Sequence, residues 1–193
     1  PEYEIFSDTL KYNTESKKTF FLGPTEIKSK DSYIFCKNGW FDTKTDQARF
    51  YKDAYILNEG KRLQGDSIYY DSQKKIGESW GHVMIIDTTE DLTVYGDYAL
   101  LNEFDSTSIV TGDSVLLKQL FDNDTLFLHA DTLYSAYDST GKHRILYAFH
   151  KVKFYKKDMQ GIADSLEYRA ADSTLFFYKD PVLWNQGNQM TAD

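Results

Sequence analysis

The chain has 193 residues and a formal net charge of −8, and its 22 Lys and Arg are scattered along its length. An acidic chain with no basic stripe argues against nucleic acid as a partner, and no apolar run approaches the length of a membrane-spanning helix. With 3 Pro, 15 Tyr and 13 Phe and no stretch of 3.6-residue period, the composition favours sheet over long helices.

Taken in order, the chain repeats one phrase. The copies in residues 1–45 are loose: Ile5 to Leu10, then a strand ending in the turn at Phe20-Phe-Leu-Gly-Pro24. Phe50 to Tyr55 is another loose copy, and Leu63-Gln-Gly-Asp-Ser-Ile-Tyr-Tyr70 is the clearest. Val94 to Leu101, Val110 to Leu117, Leu128 to Leu133, Gly161 to Leu166 and Phe177 to Val182 follow. Each copy has an Asp, taken here as position zero: Asp8, Asp53, Asp66, Asp97, Asp113, Asp131, Asp164 and Asp180. Allowing Thr25, Asn38, His82 and His150 at zero completes twelve units spaced 13 to 19 residues apart. In all twelve, position +2 is apolar.

Alternation of period two marks a half-buried strand. Positions −5 and −3 share one face, and so do +2 and +4, yet −3 and +2 differ by an odd number. One core can take both pairs only if each strand bulges or turns a corner between them. Small residues at −1 suit that corner: Gly65, Gly81, Gly96, Gly112, Ala130 and Ala163. The Asp is expected to hold it by accepting hydrogen bonds from nearby backbone N–H groups, as in Asx turns. Turn signals such as Asn58-Glu-Gly-Lys61, Asp71-Ser-Gln-Lys74 and Asp122-Asn-Asp124 separate the units and predict antiparallel neighbours.

The predicted fold is therefore all-β: a bent antiparallel meander of about twelve strands, creased into an open V- or U-shaped trough. One domain over 1–193 fits the length. Ile68, Tyr70, Val94, Leu101, Val115, Leu117, Leu128, Leu133 and Leu166 are expected to line one shared interior. On the opposite face, position +3 forms a row of Phe41, Ile56, Tyr69, Ile85, Leu100, Leu116 and Tyr134. That row reads either as an outer stripe covered by another part of the protein or by a neighbour, or as a wrongly set register in some units. Residues 137–193 carry basic runs around Lys142 and Lys151, read as a solvated strand edge. Met190 to Asp193 matches the start of a thirteenth unit, so the expectation is a piece of a longer protein with an unpaired edge from about Phe176 to Trp184.

Catalytic groups are poorly represented. The recurrent Asp residues sit at a structural corner, and the Gly-Gly-x-Gly-x-Asp run of a calcium β-roll is absent from the sequence. His82, His129, His143 and His150 have no metal-ligand spacing; His82 and His150 take the place of the corner Asp. Cys36 reads as a small core residue. No nucleotide or nucleophile motif is found. No cofactor, metal or catalytic residue is expected.

The repeated Gly-Asp-Ser-[Ile/Val/Leu] phrases, Trp80-Gly-His-Val83, and Asp180-Pro-Val-Leu-Trp184 followed by Met190 to Asp193 resemble the OstA-like family. That family holds the lipopolysaccharide-transport proteins LptA and the amino-terminal domain of LptD. The Asp-Ser/Thr-rich style looks like the large OstA-like proteins of the Bacteroidetes. The resemblance implies a periplasmic, outer-membrane-associated β-jellyroll whose trough takes lipopolysaccharide acyl chains through the nine residues named above. It also implies partners of the Lpt type joined end to end by strand addition, with a homo-oligomer as a variant of that contact. From the residues themselves, a rigid scaffold with a closed core remains an alternative. A carbohydrate-active β-solenoid enzyme is a weaker one, since no acidic pair stands outside the phrase.

Overall fold

A run of Asp-terminated, apolar-alternating segments can form only hairpin after hairpin, and that is the whole architecture. The computed structural model describes residues 4–30, 32–58, 60–121 and 124–192. The turn at Asp122-Asn123 and the Asp193 of the thirteenth unit lie outside the described residues. The strands are β1 (Glu4–Ser7), β2 (Leu10–Asn13), β3 (Lys18–Lys28), β4 (Ser32–Asp42), β5 (Gln47–Asn58), β6 (Lys61–Asp71), β7 (Ile76–Asp87) and β8 (Leu92–Asn102). They continue as β9 (Thr107–Phe121), β10 (Asp124–Tyr137), β11 (Arg144–Lys156), β12 (Met159–Arg169), β13 (Thr174–Tyr178), β14 (Val182–Asn185) and β15 (Asn188–Thr191).

All belong to one antiparallel sheet that never closes. β1 and β2 both pair with β3, and β13 and β14 both pair with β12, so each pair is one bent strand broken at its corner. With these breaks allowed for, the meander has twelve bent strands, one for each repeat unit. β15 adds half of a thirteenth tier on β14.

Most hairpins at one end of the strands are closed by an Asx residue. Asn13 Oδ1 accepts from the N–H of Glu15 and Ser16, Asp42 Oδ1 from Lys44 and Thr45, and Asn102 Oδ1 from Phe104 and Asp105. A left-handed residue ends each of these turns, at Lys17, Asp46 and Ser106. This is the four-residue hairpin built on a helical turn.

Every ladder between the full-length strands β3 to β12 slips as it crosses the middle of its strands. Lys52 and Asp53 of β5 stand opposite Asp66 alone, Gly81 and His82 of β7 opposite Asp97, and His150 and Lys151 of β11 opposite Asp164. The extra residues, with positive φ at Gly23, Lys52, Asp53, Gly81, His82, Gly112, Lys151, Lys179 and Asp180, fall on β3, β5, β7, β9, β11 and the β13–β14 junction. These strands all run in one direction. One bulge serves both neighbours of a strand, so placing bulges on alternate strands creases the entire sheet along a line. The bulge or corner expected next to Asp97 and Asp113 is present as a register shift between β8 and β9.

The bulge also shifts the side-chain phase. In β6, β8, β10 and β12 the inward positions beyond the corner are +2 and +4, as expected. In β5, β7 and β14 they are +1 and +3: Ala54 and Ile56, Val83 and Ile85, Pro181 and Leu183; in the bulged β9 and β11 they stay +2 and +4, with Val115, Leu117, Val152 and Phe154 inside. The expected outer row therefore breaks up. Ile56 and Ile85 pack against the core, as does Phe41, because the corner of β4 falls at Lys37 and not at Asn38; Tyr69, Leu100, Leu116 and Tyr134 keep the outward face. For the same reasons Trp40, Met84, Val182 and Trp184 lie in outward rows instead of inside.

The edge predicted at 176–184 is half covered. β14 is paired by β15, leaving β13 with β12 as its one partner.

Gly65 and Gly96 have ordinary negative φ; close approach requires them. A Cβ at Gly65 would stand 2.2 Å from Ser79 Oγ, and one at Gly96 would stand 2.6 Å from Val110 Cγ1. Gly96→Ala is therefore expected to destabilise by about 1–3 kcal/mol through overpacking. Val110→Ala alone leaves a cavity, whereas in the double variant the new methyl enters that cavity. Urea unfolding should give a double-variant loss smaller than the sum of the singles. Strict additivity would show that the two walls do not press on each other there.

Candidate functional site

The crease divides every strand into two arms, and the inner faces of the arms oppose each other as two walls. Beside the crease on the first wall runs a row of small residues that includes Thr25, Cys36, Ala54, Gly65, Val83, Gly96, Val115, Ala130, Val152 and Ala163. Next comes a row of large aliphatic and aromatic residues: Ile27, Ile34, Ile56, Leu63, Ile85, Val94, Leu117, Leu128 and Phe154. On the second wall the deep row is Phe21, Gly39, Phe50, Ile68, Ser79, Ala99, Val110, Leu133, Ala148, Leu166 and Phe177. Its lip carries Phe41, Ala48, Tyr70, Gly77, Leu101, Leu146 and Tyr168. On the first wall large residues are kept one row away from the crease, where the walls are closest.

All nine residues expected to share an interior lie on these inner rows. Ile68, Leu133 and Leu166 are in the deep row of the second wall, Val94, Leu117 and Leu128 in the aliphatic row of the first, and Val115 is beside the crease. Two packed sections, β3–β6 and β7–β12, meet at Leu63, which contacts both, so the apolar interior is continuous. Depth separates the nine. Ile68 and Val115 are 0% exposed and Leu117 4%, so other side chains already fill the base of the trough. Tyr70 and Leu101 are half-buried at the lip, with Leu92, Leu126 and Met159 half-buried on the opposite wall. The surface offered to a ligand is the mouth.

Residues that sequence periodicity placed outside, Phe41, Ile56, Ile85 and Leu183, join this interior. For Ile56, Ile85 and Leu183 the signal is the two-residue bulge before them, legible only where Gly81 marks it; for Phe41 it is a corner at Lys37, one residue before Asn38.

The outside of the crease is charged. The corner Asp residues with side-chain partners do not form Asx turns; they reach across to a neighbouring strand. Lys37 donates to Asp53, and His82 Nδ1 lies 2.8 Å from Asp66 Oδ2. The Asp113 N–H donates to Asp97 at 2.9 Å, and Lys151 Nζ lies 3.0 Å from Asp131. His150 and Lys179 both bracket Asp164, at 3.1 and 3.4 Å. Glycines on the bulged strands make room for these carboxylates: a Cβ at Gly81 or Gly112 would stand 2.3 Å from Asp66 or Asp97 Oδ2. The Gly-Asp phrase is thus a contact between strands as well as a local bend. His82 and His150 do occupy the corner, as expected, and serve as partners of Asp. The hydrogen bond and charge of Asp66 raise the His82 pKa. Such exposed pairs stabilise little.

Cys36 is fully buried in the small-residue row, and burial pushes its thiol up to about 11, so it stays a neutral packing group. No group of three or more His, Cys, Asp or Glu fit to hold a metal occurs among the described residues.

No family model matches the chain, and no curated protein matches it. Solved structures do. The chain is similar to LptH of Pseudomonas aeruginosa, described as the LptA homologous periplasmic component of the conserved lipopolysaccharide transport device. The identity is 12% and the TM-score 0.53, over 69% of this chain and 94% of that one. The likeness establishes the fold: the open, creased LptA-type jellyroll expected from the repeat.

Hydrogen bonds from Ser165, then His150 and Lys179, hold Asp164 at about 2, below its ordinary 3.8. A depressed carboxyl contributes stability that is present above its unfolded pKa and lost as the pH falls through the folded one. Asp164→Asn should therefore be slightly less stable than the parent at pH 5, with the gap closing between 3.8 and about 2. Urea midpoints across that range measure it. A gap independent of pH would remove the ion-pair role.

Proposed function

We propose that the protein is a periplasmic carrier that holds the acyl chains of lipopolysaccharide, or a related lipid, along its trough on the way to the outer membrane. One observation carries the reading: an apolar interior continuous over β3–β12 in a sheet that never closes. The LptA-type fold shared with LptH supports it. The deep rows serve as the floor that keeps the walls together. The half-buried lips, Tyr70, Leu101, Leu146 and Tyr168 facing Leu92, Leu126 and Met159, are the contact surface. An acyl chain laid between them removes further apolar area from water, at about 25 cal/mol per Å². The chemistry this reading asks of the chain is binding alone.

End-to-end partners of the Lpt type, or a second copy, fit the sheet edges. β13 offers an unpaired backbone flank with Leu175 and Tyr178 exposed, and β1 and β2 offer Phe6 and Tyr12. A second reading, a rigid envelope scaffold, is favoured by the sealed base of the trough. The two readings differ in what the lips do.

A photocrosslinking residue at Leu101 should label co-purified lipopolysaccharide, while one at Leu100, the next residue on the outer face, should not. Leu101→Asp should abolish labelling from a crosslinker at Leu146 and leave the β circular-dichroism spectrum intact. Val115→Asp is not an equivalent test, because it buries an unpaired carboxylate and unfolds the base. Equal labelling from positions 100 and 101, or none from either, would favour the scaffold.

A further inference from the structure

Six of the 11 glycines have a positive φ, and a Cβ on four more would stand 2.7 Å or less from a neighbouring atom. Gly77 has neither reason to be glycine. A Cβ there would meet Tyr70 Cδ2 at 3.8 Å and Leu101 Cβ at 3.9 Å, which is ordinary contact. Glycine inside a strand weakens it, and where the fold does not demand it, it marks a place where something must lie close to the backbone. Here that is the Tyr70 ring. Gly77 stands on the lip of the second wall, in register with Tyr70 of β6 and Leu101 of β8. The ring leans over Gly77, which is buried, and its hydroxyl continues past β7 to donate to Glu103, just after β8, at 3.4 Å. Tyr70 therefore lies along the wall across β7 and does not stand up into the mouth.

The position matters because β7 begins the second of the two packed sections, which meet at Leu63. On the second wall the inward residues of β7 are Gly77 and Ser79, the smallest such pair on any strand from β3 to β12. The lip is lowest at the junction, and a tyrosine held upright beside it would close what the small residues leave open.

We propose that Gly77 is a positioning residue of the lipid-binding mouth: it lets Tyr70 lie flat, so that an acyl chain can cross β7 on the face of the ring, between one packed section and the other. The inference rests on the carrier reading. A branched side chain at position 77 would put γ carbons against a ring only 3.8 Å from the Cβ position, tipping Tyr70 into the mouth and away from Glu103. A methyl group stays at ordinary contact distance and leaves the ring where it is.

The test uses the full chain with diphosphoryl lipid A in detergent and a photocrosslinker at Leu101, beside Gly77, or at Leu146, three strands further on. Gly77→Val is expected to cut labelling from Leu101 about tenfold or more, as a small volume change in an apolar site can, and to leave labelling from Leu146 at the parent's level. Gly77→Ala is expected to label like the parent from both positions, with a raised urea midpoint, since the unfolded chain loses freedom at a site that has room for the methyl. In a Tyr70→Leu background, where no ring remains to be tipped, adding Gly77→Val is expected to change nothing. Undiminished labelling from Leu101 in Gly77→Val, an equal fall at both positions, or the same fall with and without the ring overturns the inference. So does a Gly77→Val chain that fails to fold, because the site would then require glycine for packing alone. A parent chain labelled from neither position is a different failure: it removes the carrier reading, and the inference with it.

Discussion

The closest approach of the two walls at the crease governs the rest of the molecule. A sheet bent back on itself has no room for side chains along the bend. The residues there are small, and at Gly65 and Gly96 even a methyl would strike the facing wall. Farther from the bend, Ile68, Val110 and Leu133 of the second wall are sealed. Further out the walls diverge, and Tyr70 and Leu101 remain half-exposed. Depth in the trough and residue size are two expressions of one angle.

That angle is held by backbone geometry. Each bulged strand spends one or two left-handed residues, several of them not glycine, a conformation L-residues avoid. The strain is tolerable because every bulge turns two ladders at once, and the cross-strand carboxylates fit into the spaces that Gly81 and Gly112 leave. Charged pairs on the convex side add little stability of their own. They keep the outside of the bend wet and the inside dry, so the sheet has one direction in which to fold.

A meander that is creased but unclosed suits a long apolar ligand better than a compact one. The interior runs along the stacking direction, and the hydrogen-bonded rows run along it too, so each added hairpin lengthens the trough without changing its cross-section. The base is already packed and the lips are not. A chain of methylenes laid along the mouth meets repeating apolar side chains at successive strands.

The sequence by itself determined the repeat, its twelve bent strands, the antiparallel order and the inward direction of Ile68, Val94, Leu128 and Leu166. These follow from period-two alternation and turn residues, which are local properties of the backbone. It also placed the corner at the Asp, because small residues and a change of phase coincide there. It could not tell which strands carry the bulge. Lys52-Asp53 and Lys179-Asp180 look like ordinary polar residues until their neighbours force them left-handed, and so Ile56 and Ile85 were expected on the wrong face; Phe41 was too, because the corner of β4 is at Lys37 and not at Asn38. Nor could it show that Asp66 and Asp97 serve the following strand and not their own, or that the glycines at 65 and 96 answer to Ser79 and Val110. Those facts depend on which residues the crease brings opposite one another, and opposition across a fold is settled by the angle between two walls, which no single strand encodes.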